Sequence, residues 1–159
     1  MKILSVNAGS SSLKFTLFEM PEEKELISGV FERIGIENSF YTIKLNGEKI
    51  KKEAVLANHT DAVKILTQEL LDNNIVEDLS EIKAIGHRMV HGGEKYASSV
   101  LLTDEVIKTV EELSDLAPLH NPSNLVGVRA FMEVIPDAVS VGVFDTAFHQ
   151  TMEEDKYLY

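Results

Sequence analysis

A short stretch near the start of the chain contains residue types that could bind phosphate. It reads VNAGSSSLKF over residues 6–15 and includes Asn7, Ser10, Ser12 and Lys14. Its glycine lets backbone amides turn toward a ligand, the serine hydroxyls can donate hydrogen bonds, and Lys14 supplies a cation. The side-chain amide of Asn7 offers an oxygen to a phosphate or to a metal-bound water. The same residues suit an ordinary hairpin turn, and the stretch lacks the Gly-Lys-Ser/Thr of a Walker A loop, so both interpretations stay open.

Three further residues could complete a site. Arg88 lies at the end of an apolar segment, where its planar guanidinium could clamp a carboxylate or phosphate, although a surface salt bridge is the simpler alternative. Asp145 directly follows the apolar run AVSVGVF, a position typical of metal ligands and general bases, or of an Asx turn. His120 precedes Asn121 and Pro122, and is either a loop histidine or one that neutralises a phosphoryl group.

Zinc chemistry is disfavoured in this chain. It has no cysteine, and His87 and His91 are not part of an HExxH helix. The absence of cysteine also excludes disulfides and thiolate nucleophiles, so the chemistry must use oxygen and nitrogen groups. We therefore do not expect these two histidines to bind a metal.

The composition is that of a globular domain with an acidic surface. The 159 residues carry a formal net charge of −11, which argues against nucleic acid as a partner. A polyanionic ligand would then need local NH donors, a few placed cations and a divalent metal. The sequence shows neither a membrane-spanning apolar run nor a secretion signal, which predicts a cytoplasmic protein without membrane contacts.

The periodicity of apolar residues predicts an α/β fold, a mixed sheet with helices on its faces. Strand period, turn residues and helix caps mark the elements. The predicted elements are strands over 2–7, 13–20 and 24–34, a hairpin within 40–56 at Asn46-Gly47, a helix from 59 to about 74 capped by Asn58 or Thr60, a strand over 82–90, a helix capped by Thr103, a helix within 120–135 capped by Asn121, and a strand over 138–144. The loops at 7–12, 87–93 and 145–149 are where a ligand would bind.

Four segments, VNAGSSSLKF, GHRMVHGG, LAPLHNP and VGVFDTAFH, together resemble the acetokinase family of the actin, sugar-kinase and heat-shock-chaperone superfamily. The resemblance covers essentially the whole chain. It implies a ribonuclease H-like, actin-like ATPase domain with the order β-β-β-α-β-α-β. It also implies phosphorylation of acetate to acetyl phosphate by ATP with Mg²⁺.

The resemblance assigns a role to each candidate residue. It implies that Asn7 is the Mg²⁺-linked amide and that Arg88 clamps the acetate carboxylate. His120 matches an active-site histidine, and Asp145 matches the catalytic aspartate. The phosphate-loop contacts implied by the resemblance are Ser10, Ser12 and Lys14.

Members of the family continue into a second, similar domain that binds the nucleotide. We therefore expect residues 1–159 to be an N-terminal acetokinase domain that folds but turns over acetate negligibly alone, and whose full-length enzyme is a homodimer. Two alternatives remain open: half of a propionate or butyrate kinase, and a non-catalytic binding or assembly module. The NAGSSSLKF motif favours the acetate or propionate type over the butyrate type.

Overall fold

The computed structural model describes residues 1–89, 100–102 and 121–144, and every structural statement below concerns these residues. They form eight strands, two α-helices and a short 3₁₀ helix. The strands are β1 (Lys2–Ala8), β2 (Ser12–Glu19), β3 (Lys24–Glu32), β4 (Phe40–Leu45), β5 (Glu48–Glu53), β6 (Ile82–Met89), β7 (Val100–Leu101) and β8 (Val139–Phe144); the helices are α1 (His59–Asp72) and α2 (Asn121–Val134), and the 3₁₀ helix is Leu79–Glu81. None of the described helices has both the length and the apolar character needed to cross a membrane.

The described strands form one mixed sheet in the order β5-β4-β3-β2-β1-β6-β8-β7. Strands β1 to β5 form an antiparallel meander, whereas β6 runs parallel to β1 and β8 runs parallel to β6. The two-residue strand β7 pairs antiparallel with β8 at the far edge. The predicted α/β class and mixed sheet are therefore confirmed.

The structure adds strands to the predicted order β-β-β-α-β-α-β. The segment 40–56 contributes a full hairpin, β4 and β5, so that five strands precede α1. Its turn has positive φ at both central residues, 54° at Asn46 and 81° at Gly47, which is the type I′ turn that the Asn-Gly pair predicts. Strand β7 was missed because two residues are too few to show an alternating pattern.

Alternation along the strands gives the sheet two different faces. On one face, buried apolar side chains of β1 and β2 pack toward α1 and α2. Helix α1 contributes a stripe of buried apolar residues, and α2 contributes Val128 and Phe131. The buried residues of this face include Leu4, Val6, Leu13, Phe15, Leu17, Ala62, Val63, Leu66 and Leu70.

Helix α1 begins where a capping side chain fixes its first turn. The Oδ1 atom of Asn58 accepts a hydrogen bond from the Asp61 amide at 2.9 Å, so Asn58, rather than Thr60, is the cap. The Asp61 carboxylate in turn accepts from the Ala57 amide at 3.0 Å. These two bonds hold the start of α1 in a single orientation.

The boundaries of most other predicted elements are confirmed to within two residues. Strand β3 ends at Glu32 instead of residue 34, because Arg33 adopts a positive φ of 60° that breaks the extended chain. Helix α2 begins at Asn121 itself, one residue earlier than predicted, because Asn121 was expected to be the cap that precedes the helix. The helix predicted after Thr103 lies outside the described residues.

Candidate functional site

Strand pairing brings polar side chains from distant parts of the sequence onto one face of the sheet. In the β1–β2 hairpin, Asn7 pairs with Lys14 and Ser5 pairs with Thr16. Residues paired directly across an antiparallel ladder project from the same face. Because these positions alternate with the buried ones, their side chains lie on the face opposite α1 and α2.

Strand β6 adds Arg88 to this polar face. His87 pairs with Val6 of β1 and packs on the helix side, so the next residue points the other way. A cavity of about 240 Å³ opens on this face, and its lining includes Asn7, Lys14 and Arg88. The full lining is Ser5, Val6, Asn7, Lys14, Phe15, Thr16, Phe18 and Arg88. The structure therefore brings together three candidate residues that span 82 positions of the sequence.

The cavity is suited to an anion. It is lined by one ammonium and one guanidinium group, although the whole chain has a net charge of −11. No carboxylate among the described residues forms an ion pair with Lys14. The hydroxyls of Ser5 and Thr16 and the amide of Asn7 add neutral polar groups to the wall. Such a mixture of cations and hydrogen-bonding groups can hold a carboxylate or phosphate.

The serines Ser10 and Ser12 lie on the turn that closes the β1–β2 hairpin, next to this cavity but not among its lining residues. The Gly9 amide donates to the carbonyl oxygen of Ser12 at 3.0 Å, which closes the turn. Ser10 is exposed and Ser12 is half-buried. A Cβ atom on Gly9 would lie 2.6 Å from the Ser12 hydroxyl oxygen, so a larger residue at this position would displace the Ser12 hydroxyl. The stretch is thus a hairpin turn in structure, whatever ligand it binds.

Sequence reasoning missed His59, which lies beneath this turn. The His59 Nε2 atom is 2.8 Å from the carbonyl oxygen of Gly9 and 3.1 Å from that of Ser12. The sequence indicated only where His59 lies in α1, since it directly follows the helix cap Asn58. Nothing in that pattern indicates a contact with a turn about fifty residues earlier.

Of the two histidines considered for a zinc site, the structure describes only His87. Its ring is buried on the helix side, with its centroid 5.6 Å from that of Phe131 in an edge-to-face arrangement. Burial lowers the pKa of His87 to about 3, and its Nε2 has no hydrogen-bond partner among the residues that the structure describes. His91 lies outside the described residues.

Within the described ranges, no cluster of three histidine, cysteine, aspartate or glutamate side chains could hold a metal. Among the residues in the cavity wall, Asn7 offers one neutral side-chain oxygen. A Mg²⁺ ion bound there would need its other ligands from phosphate, water or further residues, an arrangement that Mg²⁺ commonly adopts. The donor set of the cavity fits such shared binding of the ion.

The remaining two candidates, His120 and Asp145, lie outside the described residues. Each is the immediate chain neighbour of a described element: α2 begins at Asn121, and β8 ends at Phe144. The parallel pairing of β1, β6 and β8 puts the carboxyl ends of these strands at one edge of the sheet. This is also the edge at which the turn after β1 lies.

The meander joined to parallel strands, with helices on one face and a cation-lined cavity on the other, defines a domain of the actin-like ATPase fold. The sequence profile described as the acetokinase family matches residues 2–159. The chain therefore belongs to the acetokinase family.

Close relatives carry the same family name. An acetate kinase of Bacillus cytotoxicus is 60% identical over 158 residues, and an acetate kinase of Geobacillus sp. is 58% identical over the same length. In both cases the match covers 99% of this chain and 40% of the relative. The chain thus spans about 40% of the length of these curated relatives.

Solved structures of an acetate kinase and a propionate kinase are also similar to this chain. The crystal structure of Porphyromonas gingivalis acetate kinase is similar with a TM-score of 0.88 at 48% identity, over 95% of this chain and 39% of that protein. A propionate kinase from Francisella tularensis is similar with a TM-score of 0.84 at 38% identity, over 95% of this chain and 38% of that protein.

Proposed function

We propose that this chain is the acetate- and phosphate-binding part of an enzyme that phosphorylates acetate to acetyl phosphate with ATP and Mg²⁺. The observation that carries the proposal is the shared cavity of Asn7, Lys14 and Arg88, on a chain 60% identical to a protein named acetate kinase. Acetyl phosphate carries an acyl carbonyl and a phosphoryl group side by side. The cavity has a cation for each of them.

Arg88 is assigned to the carboxylate of acetate. Its guanidinium can donate two parallel hydrogen bonds to the two carboxylate oxygens, which fixes the plane of the substrate. Phe18 lines the same cavity and can contact the methyl group. A clamp of this kind orients one carboxylate oxygen for attack on phosphorus.

Lys14, Ser10 and Ser12 are assigned to the phosphoryl group. Phosphoryl transfer needs the attacking and leaving oxygens in line and the negative charge spread over donors. The lysine supplies a charge and the serine hydroxyls supply directed donors. Mg²⁺, when bound, neutralises phosphate charge, and the Asn7 amide would bind it or one of its waters.

His120 and Asp145 complete the proposed site. Acetate is already ionised at neutral pH, so the reaction needs no base to remove a proton from it. Asp145 therefore orients the reactants and organises the Mg²⁺ ion, and His120 neutralises charge on the transferring phosphoryl group. Both roles come from the family resemblance.

We propose that the nucleotide-binding domain lies in the part of the enzyme that this chain does not span. Without it, ATP lacks the adenine contacts and the cleft closure that excludes water. The 159-residue chain alone should then bind small ligands but form negligible acetyl phosphate, measured by trapping with hydroxylamine. A rate near that of a complete acetate kinase would refute this division. The homodimer and the cytoplasmic location remain predictions.

Propionate is the second candidate substrate. The similarity to the Francisella tularensis propionate kinase supports it, but that protein is 38% identical, whereas the relatives named acetate kinase reach 60%. Acetate is therefore preferred. Titration of the chain with acetate and propionate in parallel tests the choice, and tighter binding of propionate would reverse it.

Two matched pairs of variants test the anion site. Acetyl phosphate is titrated into the ¹⁵N-labelled chain, with Arg88→Ala compared to Arg33→Ala and Lys14→Ala compared to Lys49→Ala. Arg33 donates a hydrogen bond to the backbone carbonyl of Glu37, and Lys49 lies on the exposed strand β5. Neither residue lines the cavity.

We expect shifts in the amides around Asn7 and Arg88 in the wild-type chain, and a loss of affinity of about tenfold or more in each cavity variant. The controls should bind as the wild type does. Equal affinity of the cavity variants and the controls would refute the site and favour a non-catalytic binding module.

A further inference from the structure

A buried histidine supports the turn between β1 and β2 from below. His59 is 6% exposed, and its Nε2 lies within hydrogen-bond distance of two carbonyl oxygens, those of Gly9 and Ser12. Carbonyl oxygens only accept hydrogen bonds, so Nε2 must carry a proton and donate it to both. One ring nitrogen therefore connects the first and last residues of the turn.

The ring projects from a rigid point of the fold. His59 is the first residue of α1, whose start is fixed by the Asn58 cap and by the bond from the Ala57 amide to Asp61. The following residues of α1 are anchored in the core of the sheet. The position of the histidine is thus determined by the helix and not by the turn that it contacts.

Helix α2 limits movement of the same turn from another direction. A Cβ atom on Gly127 would lie 2.7 Å from the Cβ atom of Ala8, the residue just before the turn. This close packing leaves the end of β1 little room to shift toward α2. The hydrogen bond from Gly9 to Ser12 then sets the width of the turn.

We propose that His59 is a positioning residue, which holds the turn in the conformation that presents Ser10 and Ser12 to phosphate. The inference rests on the proposed function for the phosphate role of these serines. His59 does not line the cavity and is buried, so it acts through the backbone of the turn. Groups that donate hydrogen bonds to the phosphoryl group must lie within about 0.5 Å of their productive positions. A buried side chain that fixes the turn therefore affects ligand binding.

The decisive comparison uses three variants of the 159-residue chain. His59→Phe keeps an aromatic ring but removes the donor, and His59→Gln retains an NH group that can reach a carbonyl. Tyr41→Phe removes a buried hydrogen bond to Glu69 that does not involve the turn, and serves as a control for lost stability. Should His59→Phe fail to fold, His59→Asn, whose side chain is shorter, takes its place.

Two measurements are made on each variant. The first is the hydrogen exchange rate of the Gly9 amide, and the second is the Kd for acetyl phosphate. We expect His59→Phe to raise both by about five- to tenfold, the effect of losing one or two neutral hydrogen bonds. His59→Gln should recover most of the loss, and Tyr41→Phe should match the wild type.

Unchanged Gly9 exchange in His59→Phe would overturn the proposal, and so would an equal effect of Tyr41→Phe. If exchange rises but the Kd does not, the positioning role for phosphate is wrong. If the wild-type chain binds no acetyl phosphate, the proposed function fails instead. Gly9 exchange then decides by itself whether His59 holds the turn.

Discussion

A buried carboxylate in α1 should contribute strongly to the stability of this domain. Glu69 is 5% exposed and accepts hydrogen bonds from the Tyr41 hydroxyl at 2.6 Å and the Lys52 ammonium at 2.8 Å. Asn73 donates a third bond at 3.0 Å. The carboxylate thereby connects α1 with β4 and β5, the outermost hairpin of the meander. We predict that Glu69→Leu loosens this connection and destabilises the fold.

The pKa shifts support an ionised Glu69. Burial alone would raise its pKa, but the hydrogen bonds from Lys52 and Tyr41 outweigh burial and hold the pKa below the usual value. Burial and the bond to this carboxylate raise the pKa of the Tyr41 hydroxyl, which stays protonated as a donor. A carboxylate with a lowered pKa stabilises the fold above its unfolded-state pKa, and that stability is lost as pH falls through the folded-state value.

The size of the stability loss depends on the side chains that lose their hydrogen-bond acceptor when leucine replaces Glu69. Removing one member of a buried ion pair costs about 3–5 kcal/mol. Lys52 is 45% exposed and can return to water, which reduces this cost. Tyr41 is buried, and its hydroxyl without an acceptor costs about 1–3 kcal/mol. We therefore expect a loss of about 2–4 kcal/mol, which corresponds to a Tm lower by about 10 °C for a domain of this size.

Urea and thermal unfolding at pH 7 measure this loss. Glu133→Leu, an exposed glutamate in α2, is the matched control and should change stability by less than about 0.5 kcal/mol. The stability loss of the double variant Glu69→Leu/Tyr41→Phe should differ by about 1 kcal/mol or more from the sum of the two single losses, because the two side chains share a hydrogen bond. Wild-type stability of Glu69→Leu, or strict additivity with Tyr41→Phe, would refute the reasoning.

Three further predictions follow from single positions. Since burial lowers the pKa of His87 from 6.5 to about 3, stability should fall as pH drops from 6.5, by up to about 1.4 kcal/mol per pH unit. His87→Phe should make the free energy of unfolding less dependent on pH. An unchanged dependence on pH, measured by urea titrations, would contradict this prediction. Gly127→Ala should lower the Tm, because the close contact with Ala8 costs about 1–3 kcal/mol and exceeds the helix propensity gained; a higher Tm refutes this. In the full-length enzyme, Asp145→Asn should reduce kcat far more than acetate affinity, and a retained kcat would exclude the catalytic assignment.

The elements of the fold were predictable where a local pattern extends over several residues. The alternation in β1 and β2, the apolar stripe of α1 and the Asn46-Gly47 turn each mark an element within one segment. Strand β5 differs, because all six of its residues are exposed. It was found only through the hairpin turn that pairs it with β4. The order of strands in the sheet depends on pairing between distant segments, which no local pattern contains.

The site was predictable in part for the same reason. Asn7 and Lys14 are neighbours because a hairpin pairs them, and the sequence indicated that hairpin. Their proximity to Arg88 depends on the parallel pairing of β1 with β6, which the sequence indicated only through a family resemblance. The contact between His59 and Gly9 had no signal at all. It arises because the start of α1 packs beneath a turn about fifty residues earlier in the sequence.

The position of the cavity follows from the two roles of β1. This strand pairs antiparallel with β2 on one side and parallel with β6 on the other, so the sheet changes from meander to parallel order at β1. At such a change, the turn that leaves β1 and the carboxyl end of β6 lie at one edge, and ligands in α/β proteins bind at these crevices. The alternation that buries Leu4 and Val6 turns Ser5 and Asn7 to the opposite face. A stretch that reads locally as a simple hairpin turn therefore lies beside the cation-lined cavity because of its place in the sheet.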